Sequence, residues 1–159
     1  MLEVNFQAVC EAPVSVAWEY LSDWRNAVKY MDGMEKYVPT GPLEKGLGST
    51  FEGVMRVGPT PLTSNVETVA WDENQLAVYK STSGVDTITK YRFTEIDANR
   101  CEVEYRMVIQ LPGGIAGRAM EKVIEPLVRT SAANTEKNMV RVIGEFYSQR
   151  KEAKELLPE

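Results

Sequence analysis

Apolar and polar residues alternate with a period of two along most of the chain up to Gln110, and with a helical period beyond it. Leu2, Val4, Phe6, Ala8 and Cys10 take one side of an extended segment, and Glu3, Asn5 and Gln7 the other, which predicts a half-buried strand. Ala12-Pro13-Val14 ends it. Ser15 is placed to cap a short amphipathic helix carrying Val16, Trp18 and Leu21, and Ser22-Asp23-Trp24 opens a second toward Tyr30, closed by the Asp32-Gly33 turn. Six more strands follow, at 34–39, 48–57, 62–71, 75–81, 85–96 and 101–110. The last is the most regular, with Cys101, Val103, Tyr105, Met107 and Ile109 alternating with Glu102, Glu104, Arg106 and Gln110. A slip of one residue there buries its charges, so the register is well determined.

Pro112-Gly113-Gly114 breaks this pattern, and a helix to about Arg150 begins. At about 1.5 Å per residue it spans on the order of 50 Å, enough to cross a small domain. Met120, Ile124, Leu127, Val142 and Phe146 project onto one stripe. Glu121, Lys122, Arg129, Glu136, Lys137 and Arg141 are expected to face water. Pro126 predicts a kink, or a break at which it opens the main helix. Ser131, Thr135 and Asn138 lie within the stripe and Asn134 at its edge. Such residues either make a tight helix–sheet contact or line a cavity and meet a ligand or water.

Strands segregated from helices imply an α+β fold: a seven-stranded curved antiparallel sheet wrapped around the long C-terminal helix, with two short helices after the first strand. Residues 1–150 read as one domain, and 151–159 as a charged, fraying tail.

Composition narrows the chemistry. The 159 residues are 43% hydrophobic and 26% charged, with a formal net charge of −5, which argues against general nucleic-acid binding. No apolar run is long enough to span a bilayer, and the opening Met1-Leu2-Glu3-Val4 lacks a signal pattern, so a cytoplasmic location is expected. The chain has no histidine, which removes His-based triads, His-ligated zinc and any histidine general base. Cys10 and Cys101 lack metal-ligand spacing and are expected to be free, buried thiols, close together if the first and last strands pair. No nucleotide, phosphate or metal motif is present, and no cofactor is expected.

Alternation and the helix stripe place Phe51, Met55, Tyr79, Tyr91, Phe93, Tyr105, Met107, Met120, Val123 and Leu127 around the space between sheet and helix, with Ser131 and Asn134 at its polar side. Each of the apolar residues is also what an ordinary core requires. Together, aromatic and methionine side chains suit an adaptable apolar pocket, and the three tyrosines offer hydroxyls to orient a ligand. Asp23 and Asp32 are the carboxylates available for acid–base work, although a helix end and a turn account for them equally well. Arg56, Lys90, Arg92 and Arg106 fall on outward faces, with Glu102 and Glu104 as charge partners.

Several stretches resemble a known superfamily. EAPVSVAWEYLSDWRN, with Ala12-Pro13, Val16, Trp18, Leu21, Asp23 and Trp24, resembles the opening of SRPBCC proteins. GLGSTFEG resembles their glycine-led third strand, YRFTEIDANRCEVEY their sixth strand and turn, and LPGGIAGRAMEKVIEPL the lead into their C-terminal helix. The nearest flavours are polyketide cyclase/dehydrase-like members and those resembling a carbon monoxide dehydrogenase accessory protein. The resemblance implies the helix-grip fold, shared with START lipid-transfer domains, over nearly the whole chain. It implies a small hydrophobic ligand (lipid, polyketide or quinone-like) held between sheet and long helix, with exchange near Gly58-Pro59, 28–33 and 112–114. The alternatives it carries are a polyketide cyclase/dehydrase-like enzyme and a partner-protein maturation or assembly factor. Without histidine, no His-dependent dehydratase mechanism transfers.

Overall fold

The computed structural model describes residues 1–157; Pro158 and Glu159, the end of the expected tail, lie outside the described residues. Seven strands form one antiparallel sheet: β1 (Leu2–Cys10), β2 (Met34–Pro39), β3 (Thr50–Val57), β4 (Thr60–Asp72), β5 (Leu76–Gly84), β6 (Asp86–Asp97) and β7 (Arg100–Gln110). Their order across the sheet is β1-β7-β6-β5-β4-β3-β2, so β1 crosses over to pair with β7 while the others follow as hairpins. The register opposes Phe6 to Tyr105 and Tyr91 to Tyr105, and sets Cys10 directly across from Cys101 as free, fully buried thiols. Register shifts at Asn65/Val66 and Thr68/Ala70 in β4, and at Glu95/Asp97 in β6, add local twist that helps the sheet curl.

The short helices follow β1: α1 (Val14–Leu21), a 3₁₀ turn (Trp24–Asn26) and α2 (Ala27–Tyr30). Ser15 does not cap α1. The helix starts one residue earlier, with Pro13 as its N-cap residue and the Val16 and Ala17 N–H groups both donating to the Pro13 carbonyl. Trp18 anchors α1 edge-on to Trp71 and Phe93, with centroids 4.8 and 5.1 Å away. Such aromatic pairs contribute about 0.5–1.5 kcal/mol beyond their burial.

The long helix, α3 (Gly114–Leu156), is one uninterrupted element, longer than expected at its C-terminal end and not broken at Pro126. Pro126 is exposed, so water can take the Lys122 carbonyl that its missing N–H leaves free. The buried face of α3 differs in phase from the expected stripe. Gly117, Glu121, Ile124, Val128, Thr135, Met139 and Ile143 point inward, whereas Met120 and Leu127 are exposed. Glu121, expected in water, is only 3% exposed. Its carboxylate accepts from the Leu111 N–H (2.9 Å) and Arg118 (2.8 Å) and pairs with the Met1 amino group, which offsets the cost of its burial. Gly117 is required beneath it, since a Cβ there would lie 2.4 Å from the Pro112 carbonyl oxygen.

Candidate functional site

Six of the seven strands contribute an aromatic ring to one chain of contacts across the concave face. Phe6 stacks on Tyr105 (4.8 Å), Tyr105 meets Tyr91 edge-on (5.2 Å), and Tyr91 meets Tyr79 (6.0 Å). Tyr79 then meets Phe51 (6.5 Å), and Phe51 stacks on Tyr37 (5.0 Å). The missing strand, β4, supplies the smaller Leu62, Ser64 and Val66 at the same level. Space is left between these side chains and the segment running from Leu21 to Met34. The result is a cavity of about 110 Å³.

Phe51, Met55, Tyr79, Tyr91 and Met107 line this cavity, as the alternation predicts. Its position does not follow the prediction. The opposite wall is Asp23, Trp24, Ala27, Tyr30, Met31 and Met34, with no α3 side chain among the lining. Beneath α3 there remains a void of about 20 Å³, bounded by Tyr105 and Ser131 and sharing Met31, Met55 and Met107 with the larger cavity. Phe93 is buried against Trp18 instead. Met120, Val123 and Leu127 are 44%, 68% and 43% exposed, because the phase of α3 turns them outward. The helix–sheet space is filled mainly by packing of α3 on the sheet: Ile124, Val128, Met139 and Ile143 join Leu2, Val4 and Tyr105 in one core.

The polar residues of α3 neither pack blandly on the sheet nor line the main cavity; they fasten its far wall. The Ser131 hydroxyl donates to the Asp32 carbonyl (2.8 Å), and Thr135 Oγ1 accepts the Asp32 N–H (3.0 Å). Asn134 donates to the Asp32 carboxylate (3.1 Å) and Asn138 to the Tyr30 carbonyl (3.2 Å). Gly33 follows at φ +86, and a Cβ there would meet the Arg56 carbonyl oxygen at 2.6 Å. The loop carrying Met31 is thereby pinned from both α3 and β3. Aromatic and methionine spacing at Trp24, Ala27, Tyr30, Met31, Met34 and Tyr37, three and four apart, was the sequence signal that this segment presents an apolar face.

Hydroxyls give the cavity its polarity. Tyr30 and Tyr91 share a buried hydrogen bond of 3.1 Å, and the Tyr105 hydroxyl approaches the sulfurs of Met31 (3.7 Å) and Met107 (3.8 Å). Burial pushes Tyr30 up to about 12, with the Tyr91 bond pulling weakly the other way, and holds Tyr37, Tyr79, Tyr91 and Tyr105 well above the ordinary phenol value. The causes acting on Tyr37 and Tyr79 include no hydrogen bond, so both phenols remain available to a ligand. Among the described residues of the lining, Asp23 is the one charged side chain. Burial pushes its carboxyl up, but hydrogen bonds from the Arg25 guanidinium and N–H outweigh that and hold it below the usual range. Arg106 reaches Glu3 on β1 (2.8 Å) on the outer face, away from this site. No cluster of three metal-ligating side chains occurs among the described residues.

Residues 1–140 match the model of a family described as polyketide cyclase / dehydrase and lipid transport. No curated protein matches in sequence. Among solved structures, the protein TTHA0849 from Thermus thermophilus superposes with a TM-score of 0.75 at 15% identity, covering 89% of this chain and 97% of that one. The Zhui aromatase/cyclase from Streptomyces sp. R1128 gives 0.66 at 17% identity, covering 89% and 93%. Norcoclaurine synthase from Thalictrum flavum gives 0.62 at 15% identity, covering 89% and 86%. At these identities the likeness is one of fold. Among the described residues, no helix is long and apolar enough to cross a membrane.

Proposed function

The chain belongs to the polyketide cyclase/dehydrase and lipid transport family, and from that premise we propose that it binds a small, neutral, largely apolar molecule in the cavity between the sheet and the 21–34 segment. The observation that carries this reading is the lining itself: aromatic rings and methionines around phenols that the protein leaves free, with no cation to take an anionic head group. A volume of about 110 Å³ suits one ring, since apolar cavities of about 150 Å³ admit benzene. Met31, Met34, Met55 and Met107 can rearrange around something larger. A hydroxyl or carbonyl on the ligand would take its hydrogen bonds from Tyr37 and Tyr79.

Carrier function fits this lining better than cyclase chemistry. A general base needs a pKa near the working pH. The buried phenols keep their protons far above neutrality, and the Asp23 carboxylate is committed to Arg25. Native mass spectrometry of gently purified protein, followed by organic extraction, is expected to return a neutral apolar molecule in stoichiometric amount. Met107→Ala, which opens the cavity toward the void beneath α3, is expected to shift affinity for an apolar fluorescent probe toward larger probes. An apo mass, together with unchanged probe affinity in a folded Met107→Ala variant, overturns the reading.

A further inference from the structure

The outward face of the first half of α3 is apolar. Ala116, Met120, Val123 and Leu127 recur at intervals of four, three and four, which is one helical stripe. Val123 is 68% exposed and Ile115, at the start of the helix, 91%. The stripe reaches the β3–β4 turn, where a Cβ on Gly58 would lie 2.8 Å from Leu127 Cδ1. Nothing in the core uses these side chains, because the opposite side of the helix supplies the buried face.

The charges around the stripe are sorted. Arg118, Lys122 and Arg129 lie on this stretch, while Glu121 is turned inward and Glu125 is engaged by Arg129 at 2.8 Å. Three cations therefore accompany one outward carboxylate, on a chain whose net charge is −5. We propose that this half of α3 docks on an anionic lipid surface, with Met120, Val123 and Leu127 entering the interface and Lys122, Arg118 and Arg129 meeting the head groups. An apolar ridge flanked by cations is how an amphipathic helix lies in a membrane interface. A second copy of the chain, docked through the same stripe by a twofold axis, sets these cations against their equivalents.

The test is co-sedimentation of the full chain with empty phosphatidylcholine vesicles, with and without phosphatidylserine. Binding is expected on the phosphatidylserine vesicles alone and is expected to weaken with added salt. Lys122→Glu and Val123→Asp, both at exposed positions, should each reduce it about tenfold or more while leaving the melting temperature in place. Binding to neither vesicle overturns the proposal, as does wild-type binding by a folded Lys122→Glu variant. So does a dimer, seen by light scattering, that Val123→Asp dissolves. Empty vesicles keep this result separate from whether the cavity holds a ligand.

Discussion

Raising the pH is a direct test of the tyrosine cluster. Tyr30, Tyr37, Tyr79, Tyr91 and Tyr105 are all pushed up by burial, Tyr30 to about 12. A folded-state pKa above the unfolded value means that the native state holds its proton where the unfolded chain has lost it. The stabilisation is therefore complete below about pH 10, the ordinary phenol value, and is lost as the pH rises toward the folded pKa. For Tyr30 that window spans about two pH units and about 3 kcal/mol. With five such groups the slope approaches about 7 kcal/mol per pH unit, against a typical domain stability of about 5–15 kcal/mol. The fold should consequently collapse in one cooperative step within about two pH units above 10. Circular dichroism and the ultraviolet absorbance of tyrosinate, followed in parallel, should change together. A gradual rise of tyrosinate near pH 10, with the dichroism unchanged, would refute the burial of these phenols.

Two further outcomes follow from the same contacts. Tyr91→Phe should cost about 1–3 kcal/mol in urea denaturation, because the buried Tyr30 hydroxyl loses its partner. Adding Tyr30→Phe should cost less than the sum of the single changes, so strict additivity in this cycle would show that the bond is not made. Thr135→Val removes the acceptor for the Asp32 N–H and should cost about 1–3 kcal/mol. Amide hydrogen exchange at Asp32 and its neighbours should accelerate in that variant, and unchanged protection there would separate the loop from α3.

Several features were legible because they depend on local periodicity. The inner faces of β1 and β7 follow from Leu2 to Cys10 and from Cys101 to Ile109, since a strand in register can bury only one set of side chains. The length of α3 and its covering of a curved sheet follow from the change of period after Pro112. Phe51, Met55, Tyr79, Tyr91 and Met107 reach the cavity for the same reason. The phase of α3 was not legible. Glu121 and Thr135 are polar yet buried, and Met120, Val123 and Leu127 are apolar yet exposed, so a hydrophobicity pattern reads the helix rotated from its true orientation. Only tertiary partners reverse those assignments: the Leu111 N–H and Arg118 for Glu121, and the Asp32 backbone for Thr135. The same contacts decide where the empty space lies. By pinning the Tyr30–Gly33 loop to α3, they place Met31 and Tyr30 over the aromatic strands and leave the cavity beside the short helices. A pattern along the chain specifies which faces are buried, but the distances between elements come from side chains far apart in sequence.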